Sequence, residues 1–168
     1  RLRGVAPRIV FRIMGGWLPQ HRVAYQRDVI DRAEALGLLA DGQVDFVEPG
    51  NKVDHYMPGL DIFALPSRAE GISLVTGEAM ACGVPAVVND VGSLSDLVVD
   101  GEVGLINRSC GADEMARHIL TLAGDTSLRH AMGERARQRA LSLLGEEVCA
   151  RVHVSAYETA LKRRAGGS

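Results

Sequence analysis

The sequence predicts an α/β fold: a Rossmann-like parallel sheet with helices on both faces and a helical C-terminal end. Short apolar runs alternate along the chain with longer segments of helical periodicity, and glycine or proline stands at most of the junctions. The strand candidates are almost wholly apolar, which is typical of parallel strands that are covered on both sides. These two observations favour the parallel sheet over an antiparallel sheet or a helical bundle.

The individual elements follow from the same patterns in chain order. Strands are predicted over residues 9–14, Val44–Val47, Asp61–Leu65, Pro85–Val88 and Val103–Ile106. Helices are predicted over residues 23–36, 53–57 and 73–82, through Leu97 and Val98, and over 113–122, 125–143 and 146–162. Met115, Ile119 and Leu122 share one face of their helix and are predicted to be core residues.

Length and composition predict one globular domain. The chain has 168 residues, of which 46% are hydrophobic and 24% charged, and its formal net charge is -2. We expect a single domain over residues 1–168, in which residues 143–168 form a helical arm. The near balance of charge, without a long run of either sign, argues against nucleic acid or an anionic membrane as a direct partner.

Cysteine and histidine spacing argues against a metal centre. Cys82, Cys110 and Cys149 match neither a zinc ribbon nor a disulfide framework, and the five histidines are dispersed. The sequence also contains no apolar run of about 18 residues and no N-terminal stretch of signal-peptide type. We therefore expect a cytoplasmic protein without a metal ion.

Residues 66–83 carry the candidate chemistry. Glu70 lies in the loop after a predicted strand, Ser73 is a candidate helix N-cap, and Glu78 lies about one and a half turns into the helix. Free amides at the helix start and the positive end of the helix dipole form an anion site. A carboxylate on either side would accept hydrogen bonds from hydroxyl groups. The segment therefore predicts a ligand with phosphates in its middle, bound at the carboxyl ends of parallel strands.

The motifs around this segment point to a known family. The matching stretches are residues 13–16, 44–46, 61–67, 70–71, 78–83, 85–88, 100–105, 128–129, 132–133 and 136–137. In this order and spacing they resemble the C-terminal, donor-binding half of retaining glycosyltransferases of the GT-B type, family 4. The resemblance covers residues 9–140 of the chain.

The resemblance implies a role for each motif. Glu70 would be the catalytic-site residue that contacts hydroxyls of the donor sugar, and Glu78 would bind the ribose hydroxyls. Backbone amides near Gly71, Ile72, Ser73, Leu74 and Val75 would hold the distal phosphate. The Gly15-Gly16 turn would line the nucleotide cleft, and Val47, Glu48 and Pro49 are weaker candidates for contact with the base. The substrate would be a nucleotide-diphosphate sugar, and no cofactor or metal ion is implied.

The chain departs from the family pattern in ways that bear on activity. Ser73 stands where glycine is usual, and we expect its hydroxyl to cap the helix. The Arg and Lys that neutralise the leaving diphosphate in the family have no counterpart, and the N-terminal acceptor-binding domain is missing. We expect the isolated chain to bind nucleotide weakly and to transfer sugar poorly or not at all. Its partner would be that acceptor domain, from the same gene or a separate chain, which leaves peripheral membrane contact open.

Other functions stay open beside the glycosyltransferase. The chain could be a non-catalytic nucleotide-sugar-binding subunit, or a protein similar to the UDP-sugar epimerases that share the architecture. The spacing of Glu70-Gly71 and residues 78–81 favours the transferase over the epimerase. A dinucleotide-dependent oxidoreductase is disfavoured, because no G-x-G-x-x-G lies between a strand and a helix.

The candidate residues also have structural interpretations. Glu70 taken alone would be a solvated loop carboxylate, Glu78 an exposed helix former, and Gly15-Gly16 the end of a strand. We expect Asn89 to be a turn residue at a strand end, and the arginine cluster of residues 135–139 to be a solvated helix face.

Overall fold

The computed structural model describes residues 9–15, 26–40, 42–47 and 53–165, and the chain divides into two compact units, Arg1–Gly59 and Leu60–Ser168. The strands are β1 (Phe11–Met14), β2 (Val44–Val47), β3 (Phe63–Leu65), β4 (Ala86–Asn89) and β5 (Gly104–Asn107). The helices are α1 (Asp31–Ala35), α2 (Val53–Tyr56), α3 (Leu74–Ala81), α4 (Leu94–Leu97), α5 (Ala112–Gly124), α6 (Thr126–Leu144) and α7 (Glu146–Ala165). That the whole chain forms one domain stays a prediction.

The first unit contains a parallel strand pair. β1 and β2 pair in register from Phe11 with Val44 to Met14 with Val47. The helix predicted over residues 23–36 is present as a π-helical turn, Gln26–Ile30, followed by α1, while residues 23–25 lie outside the described part. Parallel strands joined through helical segments are the arrangement that the sequence predicts.

The second unit is built on a parallel sheet with the strand order β3-β4-β5. All four residues of β4 are buried, and Ala86, Val87 and Val88 have no exposed surface. Because successive side chains of a strand point to opposite faces, both faces of the sheet are covered at β4. The Rossmann-like α/β prediction is therefore confirmed, although β3 is shorter than expected and β5 begins one residue later.

Small residues bring α6 close to the rest of the second unit. Ala136 and Ala140 are buried on the face of α6 that packs along α3. Gly133 faces the turn after α3 so closely that a Cβ at this position would overlap the carbonyl oxygen of Gly83. The predicted core face of α5 is confirmed, since Met115, Ile119 and Leu122 are all buried.

Arginines on the exposed face of α6 bind backbone carbonyls of other elements. Arg137 Nη1 donates to the Ala81 carbonyl at the end of α3 at 2.7 Å. Arg139 donates through Nη2 and Nε to the carbonyls of Asp96 and Leu97, at 2.7 and 2.8 Å. The last carbonyls of a helix have no partner within the helix, so a cationic side chain near them can donate a hydrogen bond to these acceptors. The positive charge also interacts favourably with the negative end of the helix dipole. The exposure predicted for this cluster holds for Arg135, Arg137 and Gln138, but the sequence did not reveal the carbonyl contacts, because their acceptors lie on other elements.

Replacing Arg139 by alanine is expected to lower the free energy of unfolding. The substitution leaves two carbonyls at the end of α4 without their charged donor, which costs about 1.5–2 kcal/mol. Urea denaturation followed by circular dichroism measures the change. Gln138→Ala, at the exposed neighbouring position, should leave the midpoint unchanged. An equal loss in both variants would show that the carbonyl contacts do not set the effect.

The chain continues after α6 in the helical arm that the sequence predicts. α7 runs from Glu146 to Ala165, and its large apolar side chains are exposed, among them Val152, Tyr157 and Leu161. None of the helices in the described part of the chain is both long and apolar enough to span a bilayer.

Candidate functional site

The candidate site lies in the second unit, at the carboxyl end of β3. Residues 66–73 form the loop that leaves β3 and enters α3. Glu70 in this loop is half-buried and Gly71 is exposed. Ile72 and Leu74 are also exposed, at 78% and 66%, although both are large and apolar. Of the predicted phosphate-facing residues, Gly71, Ile72 and Leu74 are thus at the surface beside the start of α3, while Val75 is half-buried and Ser73 is buried.

Ser73 does not cap α3 as the sequence predicts. Its hydroxyl lies 2.8 Å from the hydroxyl of Thr76, both residues are buried, and no side-chain hydrogen bond caps the helix. An N-cap serine normally accepts a hydrogen bond from an amide of the first turn. Thr76 offers a hydroxyl at the same place, and the serine oxygen bonds to it instead. The Leu74 amide donates to the Ile72 carbonyl at 3.2 Å, and the side chain of Ser73 leaves the other first-turn amides to another acceptor.

Glu78 lies on the exposed stripe of α3. It follows Leu74 by four residues, so the two side chains share one face of the helix and are about one turn apart. The opposite face, which includes Thr76, Gly77 and Met80, is buried. Glu70 thus precedes the helix start along the chain, and Glu78 lies about one turn into the helix. Their roles toward a ligand stay predictions.

The last residue of β4 and the segment after it hold the candidate loop in place, a role that sequence reasoning did not find. Asn89 Nδ2 donates to the Ser67 carbonyl at 2.9 Å, and Ser93 Oγ donates to the Gly71 carbonyl at 2.6 Å. Gly92 has φ +57°, and a Cβ there would overlap the Glu70 carbonyl. The available signal was a pair of asparagines that end two apolar strands, since such ends meet at one edge of a parallel sheet.

A second asparagine supports Asn89 from behind. Asn89 and Asn107 are partners in the register of β4 and β5, and both are buried. Asn107 Nδ2 donates to Asn89 Oδ1 at 2.7 Å and to the Gly111 carbonyl at 3.0 Å. Ser109, whose hydroxyl donates to Asn107 Oδ1 at 3.1 Å, also donates its amide to Glu114 Oε2 at 2.8 Å. Hydrogen bonding from Ser109 lowers the pKa of the Glu114 carboxyl. Asn89 is therefore a buried network residue and not the simple turn residue that the sequence suggests.

The candidates of the first unit are described by themselves. The Gly15 amide donates to the Val47 carbonyl at 3.2 Å, so the ends of β1 and β2 are neighbours. Gly15 is exposed and Val47 is half-buried. Gly16, Glu48 and Pro49 lie outside the described residues. The roles of these residues in the nucleotide cleft stay predictions.

No group of three or more His, Cys, Asp or Glu side chains is placed to hold a metal ion within residues 9–15, 26–40, 42–47 and 53–165. The expectation that the donor site works without a metal ion or cofactor stays a prediction.

Comparison with known proteins gives the family. The model for Glycosyl transferases group 1 matches residues 2–139, which is most of the chain. The chain belongs to the group 1 glycosyl transferases. The family membership and the GT-B type of fold that the motifs predict are therefore confirmed, as is the likeness to the C-terminal half of such enzymes.

Individual family relatives support this assignment. A D-inositol 3-phosphate glycosyltransferase of Kribbella flavida is 35% identical over 136 residues, which cover 79% of this chain and 31% of the relative. The structure of sucrose-phosphate synthase from Thermosynechococcus elongatus is similar with a TM-score of 0.79 and 26% identity, over 90% of this chain and 38% of that one. The structure of Anabaena HepE in complex with UDP gives a TM-score of 0.77 and 23% identity, over 88% and 42%. The group 1 glycosyl transferase chain described here thus spans about a third of the length of its curated relative.

Proposed function

We propose that this chain is the donor-binding half of a glycosyltransferase that takes a sugar from a nucleotide-diphosphate sugar and transfers it with retention of configuration. The observation that supports the proposal is that Glu70, in the loop before α3, and Glu78, on the exposed stripe of α3, flank the helix start along the chain. Family membership supports sugar transfer as the reaction, and retention rests on the resemblance to family 4.

The start of α3 suits the diphosphate. First-turn amides of a helix point along its axis without intrahelical partners, and the helix dipole adds a partial positive charge. Because Ser73 Oγ bonds to Thr76 Oγ1, it does not compete with a phosphate oxygen for these amides. Backbone amides bind a phosphate with no side chain to desolvate, which suits the exposed Gly71.

The two carboxylates suit the hydroxyl groups at the two ends of such a ligand. A carboxylate accepts hydrogen bonds from a vicinal pair of hydroxyls, and these charge-assisted bonds are stronger than neutral ones. Glu70 lies before the helix start and would face the sugar. Glu78 lies one turn beyond Leu74 and would face the ribose.

The same groups would lower the barrier to transfer. The bond between the sugar carbon and the diphosphate oxygen breaks, and its electron pair stays on the diphosphate. The acceptor oxygen forms the new bond to the sugar carbon, and its proton passes to the departing diphosphate oxygen. Negative charge grows on the phosphate and positive charge on the sugar, so fixed amides at the phosphate and a carboxylate at the sugar stabilise the transition state. The acceptor would be bound by a further domain outside this chain, and no metal ion is required.

Parallel calorimetric titration of the chain with UDP, GDP and ADP, with and without magnesium, tests donor binding. We expect one diphosphate to bind without magnesium. Glu78→Ala should weaken binding of that diphosphate by about 1.5–3 kcal/mol, because the ribose hydroxyls lose a charged hydrogen-bond acceptor. Glu70→Ala should leave the affinity for the free diphosphate unchanged and weaken binding of the intact sugar nucleotide.

Glu134→Ala is the matched control, since Glu134 is an exposed helical glutamate of α6 outside the site. It should change neither affinity. Equal losses of diphosphate and sugar nucleotide in the Glu70 and Glu78 variants would contradict the division of roles. Failure of the folded chain to bind any of these ligands would contradict its sufficiency as a donor site.

A further inference from the structure

The loop that carries Glu70 is tied down on both sides of this residue by one short segment. Before Glu70, the Ser67 carbonyl accepts a hydrogen bond from Asn89 Nδ2 at 2.9 Å. After Glu70, the Gly71 carbonyl accepts one from Ser93 Oγ at 2.6 Å. Both donors lie in residues 89–93, which leave β4 and enter α4. The two bonds therefore fix the loop at two points that bracket the carboxylate.

The first of these donors is rigid. Asn89 is 97% buried, and its Oδ1 accepts a hydrogen bond from Asn107. Asn107 lies in β5, directly opposite Asn89 in the register of β4 and β5. Asn107 is itself bonded to the Gly111 carbonyl and accepts from Ser109 Oγ. A buried amide whose donor and acceptor are both engaged has one orientation. Asn89 thus fixes the position of the loop relative to the sheet.

We propose that Asn89 and Ser93 are positioning residues that hold the loop so that the Glu70 carboxylate meets the donor sugar. The assignment of the sugar to Glu70 rests on the proposed function, while the restraint of the loop does not. A group that must meet a ligand at hydrogen-bond distance loses affinity when its loop samples other positions. Neither residue needs to touch the ligand for this role.

Ser93 offers the cleaner test, because its hydroxyl makes one bond at the edge of the loop and the change leaves the buried network intact. Hydrogen exchange by mass spectrometry on residues 66–73 reports the restraint directly. Affinities for UDP and UDP-glucose, or for GDP and GDP-mannose if GDP binds best, report its consequence. The variants are Ser93→Ala, Ser93→Thr, which keeps the hydroxyl, and the control Ser95→Ala, at an exposed serine of α4.

We expect Ser93→Ala to speed hydrogen exchange in the loop. It should lower the affinity for the sugar nucleotide by about three- to tenfold, which corresponds to the loss of one hydrogen bond, while the affinity for the diphosphate stays unchanged. Ser93→Thr should restore both, and Ser95→Ala should alter neither. Asn89→Ala, checked for folding by circular dichroism, should give the same selective loss.

Wild-type exchange in Ser93→Ala, or no rescue by Ser93→Thr, would overturn the proposal. Equal weakening of sugar nucleotide and diphosphate would also overturn it, since a general loss of structure affects both ligands. If the unmodified chain bound neither ligand, the proposed function would fail, and loop exchange alone would still decide whether the two residues restrain the loop.

Discussion

Gly133→Ala is expected to destabilise the protein by about 3 kcal/mol or more, at the upper end of the usual cost of overpacking. In an open helix the same change stabilises by roughly 1 kcal/mol, because alanine is the better helix former. The sign reverses here because the added Cβ overlaps the Gly83 carbonyl and lies 3.4 Å from Pro85 Cδ. Gly83 has φ +79° in the turn that leads to β4, so its carbonyl cannot move without disturbing the sheet. Thermal and urea unfolding measure the loss.

Gly124→Ala is the matched control for this substitution. Gly124 is the last residue of α5, and a Cβ there meets no atom within 4 Å. This variant should be as stable as the unmodified chain or slightly more stable. A stable Gly133→Ala protein would show that α6 can shift away from the turn, and that its close approach to Gly83 is not needed.

Gly92→Ala is expected to weaken binding of the sugar nucleotide by about 100-fold or more, equivalent to about 3 kcal/mol. The added Cβ overlaps the Glu70 carbonyl. The backbone strain of a residue other than glycine at φ +57°, about 1–3 kcal/mol, lowers the stability of the protein instead. The loop relieves the overlap by moving Glu70 away from its place. Titration with diphosphate and with sugar nucleotide measures the effect, and the larger loss should fall on the sugar nucleotide.

Gly101→Ala separates the two contributions. Gly101 also has a positive φ, +77°, but a Cβ there meets no atom within 4 Å. Its alanine variant should lose stability from backbone strain and keep its affinity for both ligands. If the Gly101 and Gly92 variants bound ligand equally well, the contact between Gly92 and Glu70 would not control the site.

The sequence alone predicts those features that depend on local patterns. The apolar run that became β4, the glycine after α3 and the core face of α5 each follow from periodicity or backbone freedom within a few residues. The helix bounds that put Glu70 before the helix start and Glu78 inside the helix are also local, and the roles of the two residues stay predictions. Helix α1 is less regular than expected, since a π-helical turn precedes it.

The features that the sequence does not reveal depend on residues that meet only after folding. The bond between Ser73 and Thr76 is the exception, since the two residues are only three positions apart. The bond from Asn89 to Ser67 spans 22 positions, and the bond from Arg139 to Leu97 spans 42. No local periodicity encodes such pairs. The donor-loop restraints and the arginine contacts were therefore missed for the same physical reason.

The strand order of the second unit also bears on how it folds. β3, β4 and β5 are neighbours in the sheet in the order in which they occur in the chain. Each strand therefore pairs with the one synthesised just before it, and each pairing closes a single short connection at low entropic cost. Sheet assembly can then follow synthesis from the ribosome, and α6 completes the unit by packing on α3 once the strands are in place.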